Sequence, residues 1–303
     1  MKAALIVNPA CVCAEEASVA LTAVSARRGW DPPLVLETTI ARPGAEQASE
    51  AVAAGVRRVV VAGGDGTLRQ VAGAMAGSET PIGVMPIGTA NIVARNLGLL
   101  RVSLERAAET ALLAPAGPLS VGWVRCLIGD AWVPPTPMLA VVGIGRDAQA
   151  IAATKPWLKR SLGWLAYFAS GSRAALEGAL PMTVSLDGGP VVDVEAWSIL
   201  VGAMPRLPLG VVAFWNVAPG DDAFGVMRVM VSHRHQWVAI ALKGIFHSPR
   251  EVPALQYDRA REVLVHPSEP CAVQIDGDLV EGVKEMQVEV EEAAVQVAGA
   301  KKR

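Results

Sequence analysis

The stretch that most restricts this 303-residue chain is Val59-Val60-Val61-Ala62-Gly63-Gly64-Asp65-Gly66-Thr67, an apolar run that stops abruptly in a glycine loop. Consecutive β-branched residues without alternation fit a strand buried on both faces, as in parallel sheets covered by helices. The chain must then turn sharply, because 67–76 carries helical spacing. Strand, tight glycine turn and helix start together make an anion cradle. Glycines let the main chain approach a phosphate without a Cβ in the way, several N–H groups converge, and the helix offers the positive end of its dipole. Thr67 adds a hydroxyl. Asp65 inside such a cradle needs a positive partner, which a magnesium-bound phosphate supplies. A bare strand-to-helix corner is the plain alternative. The GxxxxGK[ST] consensus is absent, so no P-loop lysine is expected.

The surrounding segments repeat this logic. Residues 3–8, 34–38, 58–62 and 82–85 read as strands, and 15–28, 44–54, 67–76, 90–97 and 103–113 as helices. Gly29 and Gly55 stand where helices close, and Ser103 where one is capped. Alternating strand and helix predicts an α/β layer on a parallel sheet. Pro86-Ile87-Gly88-Thr89-Ala90-Asn91 repeats the strand-turn-helix arrangement one strand later. Loops at the carboxyl ends of parallel strands share one rim, so both can reach one nucleotide. Asn91 taken alone reads as a helix cap.

Beyond Pro118 the pattern changes to shorter strands broken by Gly, Pro and Asp-Gly turns, which predicts a mostly antiparallel second lobe. Strands are expected at 119–127, 138–142, 182–186, 191–201, 211–214, 227–231, 263–266 and 272–275, with Asp187-Gly188-Gly189 as a hairpin turn. Helical spacing recurs at 157–176, with Trp164, Leu165, Phe168 and Leu176, and at 235–246. The expected lobes are therefore 1–118 and 119–290, with 291–303 packing back on the first and its Lys-Lys-Arg end solvated.

Composition removes several function classes. The mean hydropathy of +0.36 is high, yet no apolar stretch approaches the ~20 residues of a membrane span. The opening run is too short for a signal peptide and reads as a buried first strand, which implies a cytoplasmic address. Cys11, Cys13, Cys126 and Cys271 form no CxxC pair and are read as reduced thiols; Cys11-Val12-Cys13 lacks the second pair a zinc site needs. A net charge of −2 excludes a globally basic nucleic-acid binder, although Lys155, Lys159 and Arg160 form a local basic patch.

Three further turns carry candidate chemistry. Gly143-Ile144-Gly145-Arg146-Asp147-Ala148 matches a dinucleotide fingerprint, but the acidic residue required at a strand end ~20 residues on is missing, so a packed turn is expected. Asp276-Gly277-Asp278 ends a strand, where an Asp-Gly pair ordinarily marks a hairpin. Asp221-Asp222 reads as a solvated acidic loop. No Ser/His/Asp set can be assembled from His233, His235, His247 and His266.

Gly63–Thr67, then 81–91 and Ala94-Arg95-Asn96-Leu97-Gly98, resembles the diacylglycerol kinase catalytic domain shared by bacterial lipid kinases, sphingosine kinases and ceramide kinases. The likeness continues through 143–148, Leu162-Gly163-Trp164-Leu165-Ala166-Tyr167 and 276–278, nearly the whole chain. The resemblance implies an α/β fold with an N-terminal parallel-sheet nucleotide-binding lobe, a C-terminal β-sandwich-like lobe, and a lipid site in or beside the cleft between them. It implies ATP and Mg2+, with Asp276 as general base and Asp65 beside it in catalysis. Asn8, Pro9, Thr39, Gly63, Gly64, Gly66, Thr67, Gly88, Thr89 and Asn91 would contact the nucleotide, and Asp222 and Asp278 a metal. Asp278 stands where the family usually has Glu. Ala10-Cys11-Val12-Cys13 replaces a Ser-Gly phosphate turn, and Asp221-Asp222-Ala223-Phe224-Gly225 departs from an Asp-Asp-Gly metal segment. The implied partner is a lipid substrate, with no nucleic acid and a homodimer allowed; the high hydropathy, with Trp157 and Trp164 beside Lys159 and Arg160, reads either as a transient membrane contact or as core packing of those tryptophans. The competing readings are an NAD kinase-like enzyme, which shares the GGDGT loop, and a non-catalytic homologue that binds lipid or nucleotide.

Overall fold

A computed structural model of the chain describes residues 1–100, 102–148, 178–207, 211–231 and 252–300, together with 233, 236, 237, 239 and 240. The helix expected at 157–176, with Trp157, Lys159, Arg160 and Trp164, lies outside the described residues, as do Lys155 and most of 235–246. Two compact units emerge: Met1–Val121 with Glu291–Arg303, and Gly122–Val290.

In the first unit β1 (Ala3–Val7), α1 (Ala14–Arg27), β2 (Leu34–Glu37), α2 (Ala45–Ala53), β3 (Arg58–Gly63), α3 (Asp65–Ala74), β4 (Ile82–Pro86), α4 (Ile92–Asn96) and α5 (Leu104–Leu113) lead into β5 (Ala116–Ile128). The sheet order is β4-β3-β1-β2, all parallel. Leu5, Val7, Val60 and Ala62 pack with Leu21 of α1 and Leu112 of α5. Ala4, Ile6, Val59 and Val61 point to the opposite face, as strand alternation requires, and are buried too. That double burial is why the run reads as uninterrupted apolar sequence. Gly29 and Gly55 take φ +67° and +66°, the left-handed values expected of helix stops. Ser103 Oγ accepts from the Arg106 N–H at 3.2 Å, the capping bond its position predicts. The helix after the glycine loop begins at Asp65 rather than Thr67, because Gly64 supplies the cap.

The second unit is built from β6 (Ala131–Trp132), β7 (Thr136–Met138), β8 (Val141–Gly145), β9 (Leu180–Leu186), β10 (Val192–Ala196), β11 (Ser198–Gly202), β12 (Phe224–Val229), β13 (Leu255–Ala260), β14 (Glu262–Pro267), β15 (Cys271–Ile275) and β16 (Asp278–Ala298). Its ladders run β13-β12-β11-β8-β15-β16 and, through β14, β16-β14-β9-β10, with antiparallel pairing throughout. Ile144, Val184, Ile199, Val226, Val265 and Val273 meet in one core. The alternate residues Leu200 and Met227 join a second cluster around Phe214.

Several expectations are corrected here. The strand read at 138–142 is interrupted, since the N–H groups of Leu139, Ala140 and Val141 all donate to the Asp276 carboxylate instead of to a neighbouring strand. The run at 191–201 divides at Trp197. Residues 211–214 form no strand: the N–H groups of Ala213 and Phe214 both fold back to Pro205 O, leaving a single bridge between Arg206 and Val212. Sequence reading found neither β13 nor the 21-residue β16. In β16, Gly282 and Ala293 take φ +71° and +51°, and each bend shifts the alternation that would have marked a strand. The last part of β16 belongs to the first unit, where Val297 pairs in parallel with Ile82 of β4. No helix among the described residues is long and apolar enough to cross a membrane.

Candidate functional site

Register places four strand ends on one rim: Val7 lies level with Glu37 and Ala62, and Gly63 with Pro86. Asn8, Thr39, the 63–67 loop and the 86–91 loop therefore share the carboxyl edge of the first unit's sheet. The two glycine loops touch through their backbones. Ile87 and Gly88 N–H donate to Gly63 O at 3.2 and 3.1 Å. A Cβ on Gly88 would stand 2.4 Å from Gly64 Cα and 3.0 Å from Gly64 N, so only glycine permits this approach. The first intrahelical bond of α3 is Leu68 N–H to Gly64 O, which leaves the N–H groups of Asp65, Gly66 and Thr67 without a helical acceptor. Gly66 is exposed and a Cβ there would meet open space, so its N–H edge is accessible.

Asp65 finds its positive partner inside the protein. Its Oδ1 accepts from Val93 N–H at 3.1 Å, and the N–H groups of Asn91 and Ile92 also act on it. Burial raises its pKa above the ordinary value while these backbone donors pull it back. Asp65 thus ties the first loop to the start of α4. Asn91 completes the tie in a left-handed conformation (φ 46°), with Nδ2 donating to Gly88 O at 2.7 Å. Thr67 packs against Gly63, and Thr89 is exposed. Arg95, one turn further along α4, was not singled out as a site residue by sequence reading. It is half-buried, its Nε has no partner, and no hydrogen bond or ion pair joins its side chain to another of the described residues.

The remaining rim residues hold their own turns. Asn8 Oδ1 accepts from Ala10 N–H at 3.0 Å, and Pro9 is exposed. Thr39 Oγ1 accepts from Arg42 N–H at 3.0 Å, in a turn braced by Gln47 Nε2 donating to Glu37 O and Arg42 O. The brace from Gln47 is invisible in a single sequence, since nothing marks a helix glutamine as a loop support.

In the second unit Asp276 and Gly277 form a two-residue hairpin turn between β15 and β16, at φ 49° and 95°. Asp276 Oδ1 accepts from Ala140 and Val141 N–H at 2.9 and 2.8 Å, and Oδ2 from Leu139 N–H at 2.8 Å. The carboxylate is held by residues more than 130 positions away. Asp278 is exposed beyond the turn. Asp222 lies 3.3 Å from Arg261 and 3.6 Å from Arg259, while Asp221 receives Ala218 N–H and Arg259. Among the described residues no three His, Cys, Asp or Glu side chains gather into a metal-binding group. Asp222 and Asp278 are thus not joined by a third ligand. The GxGxxA segment is corrected from a packed turn: β8 ends at Gly145 and residues 146–148 are already helical, with Arg146 N–H donating to Trp197 O and Asp147 N–H to Ser198 Oγ.

Residues 2–124 match the diacylglycerol kinase catalytic domain family. A diacylglycerol kinase of Bacillus subtilis is 27% identical over 80% of this chain and 77% of its own length. A solved structure of a diacylglycerol kinase from Bacillus anthracis superposes with a TM-score of 0.71 at 19% identity, covering 98% of this chain and 96% of that one. An NAD kinase from Archaeoglobus fulgidus, solved in complex with ATP, superposes with a TM-score of 0.53 at 13% identity over 99% of this chain and 94% of its own. At those identities the two structures establish the fold, an α/β architecture with a large sheet.

Proposed function

We propose that the protein, whose residues 2–124 match the diacylglycerol kinase catalytic domain family, is an ATP-dependent kinase that phosphorylates a hydroxyl group of a diacylglycerol-like lipid. The observation that carries this reading is the contact between the 63–67 and 86–91 loops. The first-turn N–H groups at Asp65–Thr67, with Gly66 exposed and the second loop held against Gly64 by Gly88, fit the phosphates of ATP. The Bacillus subtilis relative supports the lipid acceptor, and the ATP in the Archaeoglobus neighbour supports the nucleotide.

Phosphoryl transfer asks little covalent chemistry of the protein and much positioning. The first-turn N–H groups of α3 hold the phosphate tail, and Asp65 and Asn91 keep the second loop against the first. Arg95 supplies a guanidinium that no carboxylate among the described residues pairs with. The lipid hydroxyl oxygen bonds to the γ-phosphorus as the bond to the β–γ bridging oxygen breaks and ADP departs. Asp276 is the assigned acceptor of the hydroxyl proton, from its match to the family's base position, and its three backbone donors fix the carboxylate in one orientation. Magnesium, when it arrives with ATP, spreads the phosphate charge. Asp222, already paired with two arginines, does not fit a further cation site and carries no step. An acceptor with acyl chains requires the enzyme to meet a bilayer surface.

The test is transfer of labelled phosphate from ATP to a lipid extract with mass spectrometry of the products. Wild-type protein should yield a phosphorylated lipid, and Asp276→Asn should lose at least ~100-fold in kcat while binding ATP unchanged, as for loss of a general base. Full activity in that variant refutes the assignment of the base; phosphorylation of NAD instead of lipid refutes the acceptor.

A further inference from the structure

A buried polar cluster lies beside the Asp276 turn and takes no part in the chemistry above. Asp147, at the helical start that follows β8, is 7% exposed. Its Oδ1 accepts from the Ser198 hydroxyl at 2.7 Å, and its own N–H donates to the Ser198 oxygen at 2.8 Å. Oδ2 lies over Gly143, only 2.0 Å from where a Cβ would stand, and Gln274 Nε2 is 3.1 Å from the same point. Residue 143 is therefore glycine because a carboxylate and an amide converge above it. Gln274, 3% exposed, directs Oε1 at Gly277 N–H, 3.0 Å away. The amide thus has its donor end on the Asp147 side and its acceptor end on the turn that carries Asp276.

An asparagine at 147 would keep the bond from Ser198 and avoid burying a charge. The carboxylate is retained at a penalty: burial pushes Asp147 up to about 6, against the pull of Ser198, Gln274 and nearby N–H groups, and Oδ2 has no hydrogen bond of ordinary length. What asparagine cannot provide is an acceptor-only face. Its NH2 would confront the Gln274 NH2, and relieving that conflict by turning the Gln274 amide would leave Gly277 N–H facing a donor. Among the described residues the other ionisable neighbours are Cys271, whose thiol burial and the Asp147 charge raise to about 11, and Arg146, which acts on Cys271 in the opposite sense.

We propose that Asp147 is a positioning residue for the phosphoryl acceptor chemistry: through the Gln274 amide it sets the Asp276–Gly277 turn, and it does so as an acceptor. This inference rests on the kinase reading and adds to it a way for protons to weaken catalysis. Protonated Asp147 presents an O–H toward the Gln274 donor end, the amide turns, and the Asp276 turn loses one of its anchors.

The experiment compares wild type, Asp147→Asn, Gln274→Leu and the double variant, with Asp276→Asn as reference. It measures kcat against pH, ATP affinity by calorimetry and melting temperature. Each single variant should lower kcat about tenfold with ATP affinity unchanged, the pattern of an interaction acting on the transition state alone. The double variant should be no worse than Gln274→Leu. Wild-type kcat should fall as pH drops through about 6, and Asp147→Asn should lose that limb. A wild-type kcat and pH profile in Asp147→Asn overturns the proposal. So does a lower melting temperature with the kcat of folded protein and the pH limb intact, or independent addition of the two losses. Should Asp147→Asn not fold, Gln274→Leu decides: an unchanged kcat overturns the proposal. Retained activity in Asp276→Asn removes the base assignment and this inference together, whereas an inactive Asp276→Asn beside a normal Asp147→Asn removes the inference alone.

Discussion

Asp65 and Asp276 occupy comparable places and are held in comparable ways, yet only the loop around Asp65 shows its role in neighbouring residues. Each sits beside a glycine at the end of a buried strand, and each carboxylate meets backbone N–H groups from a distant loop: Asn91 to Val93 for Asp65, Leu139 to Val141 for Asp276. Around Asp65 the chain continues in order from β3 into α3, and the partner loop is one strand later. Around Asp276 the chain reverses in a hairpin, and the partner loop is 135–137 positions earlier. A local device leaves a local signature. A device made of remote halves leaves two unremarkable fragments, here an Asp-Gly turn and a Met-Leu-Ala-Val run.

The comparison predicts unequal dependence on the two carboxylates. Removing Asp276 by Asp276→Ala strands three N–H groups in a partly buried place, and at ~1–3 kcal/mol per orphan the loss should be about 3 kcal/mol after relaxation. Urea unfolding followed by tryptophan fluorescence measures it. A loss below about 0.5 kcal/mol, the size of an ordinary surface change, would mean the three bonds do not constrain the second unit.

How far each unit was legible follows the same division. The parallel sheet, its helices and the glycine loops follow from buried runs and helix stops that lie next to one another in sequence, so the reading succeeded from Ala3 to Leu113 within a residue or two at most ends. In the second unit, strands failed where backbone groups serve something other than a ladder. Leu139 and Ala140 serve Asp276, Ala213 and Phe214 serve Pro205, and β16 bends at Gly282 and Ala293. At the site, the phosphate loop was legible because glycine itself is the signal. The tie from Asp65 to α4, the brace from Gln47 and the unpaired Arg95 were not, because each depends on which way a side chain turns.

Asp65→Ala should act less on stability and more on nucleotide binding. Its loss uncaps a five-residue helix, worth about 1 kcal/mol, while relieving a buried charge. The consequence lies in the second loop, which is freed from the first, so ATP affinity should fall roughly tenfold and lipid phosphorylation should be lost through misplaced phosphates. Calorimetric titration with ATP checks this. Unchanged affinity would show that Gly88 against Gly64 suffices to hold the cradle.

The smallest effect, and the sharpest test of what Asp65 does, is its pH dependence. Burial outweighs its backbone donors, so its folded pKa stands above the unfolded value. The native state therefore holds this proton more firmly than the unfolded chain. The resulting stabilisation is complete below the unfolded pKa and disappears as pH rises through the folded pKa. Asp65→Asn keeps an oxygen for Val93 N–H and has no charge to bury, so it should match wild type at low pH and gain relative to it toward neutrality. Melting temperatures of the two proteins across the acid range, at fixed ionic strength, give the difference directly, with the contribution of Asp147 common to both. A wild type that gains on Asp65→Asn as pH rises would mean that the N–H groups of 91–93 outweigh desolvation at Asp65.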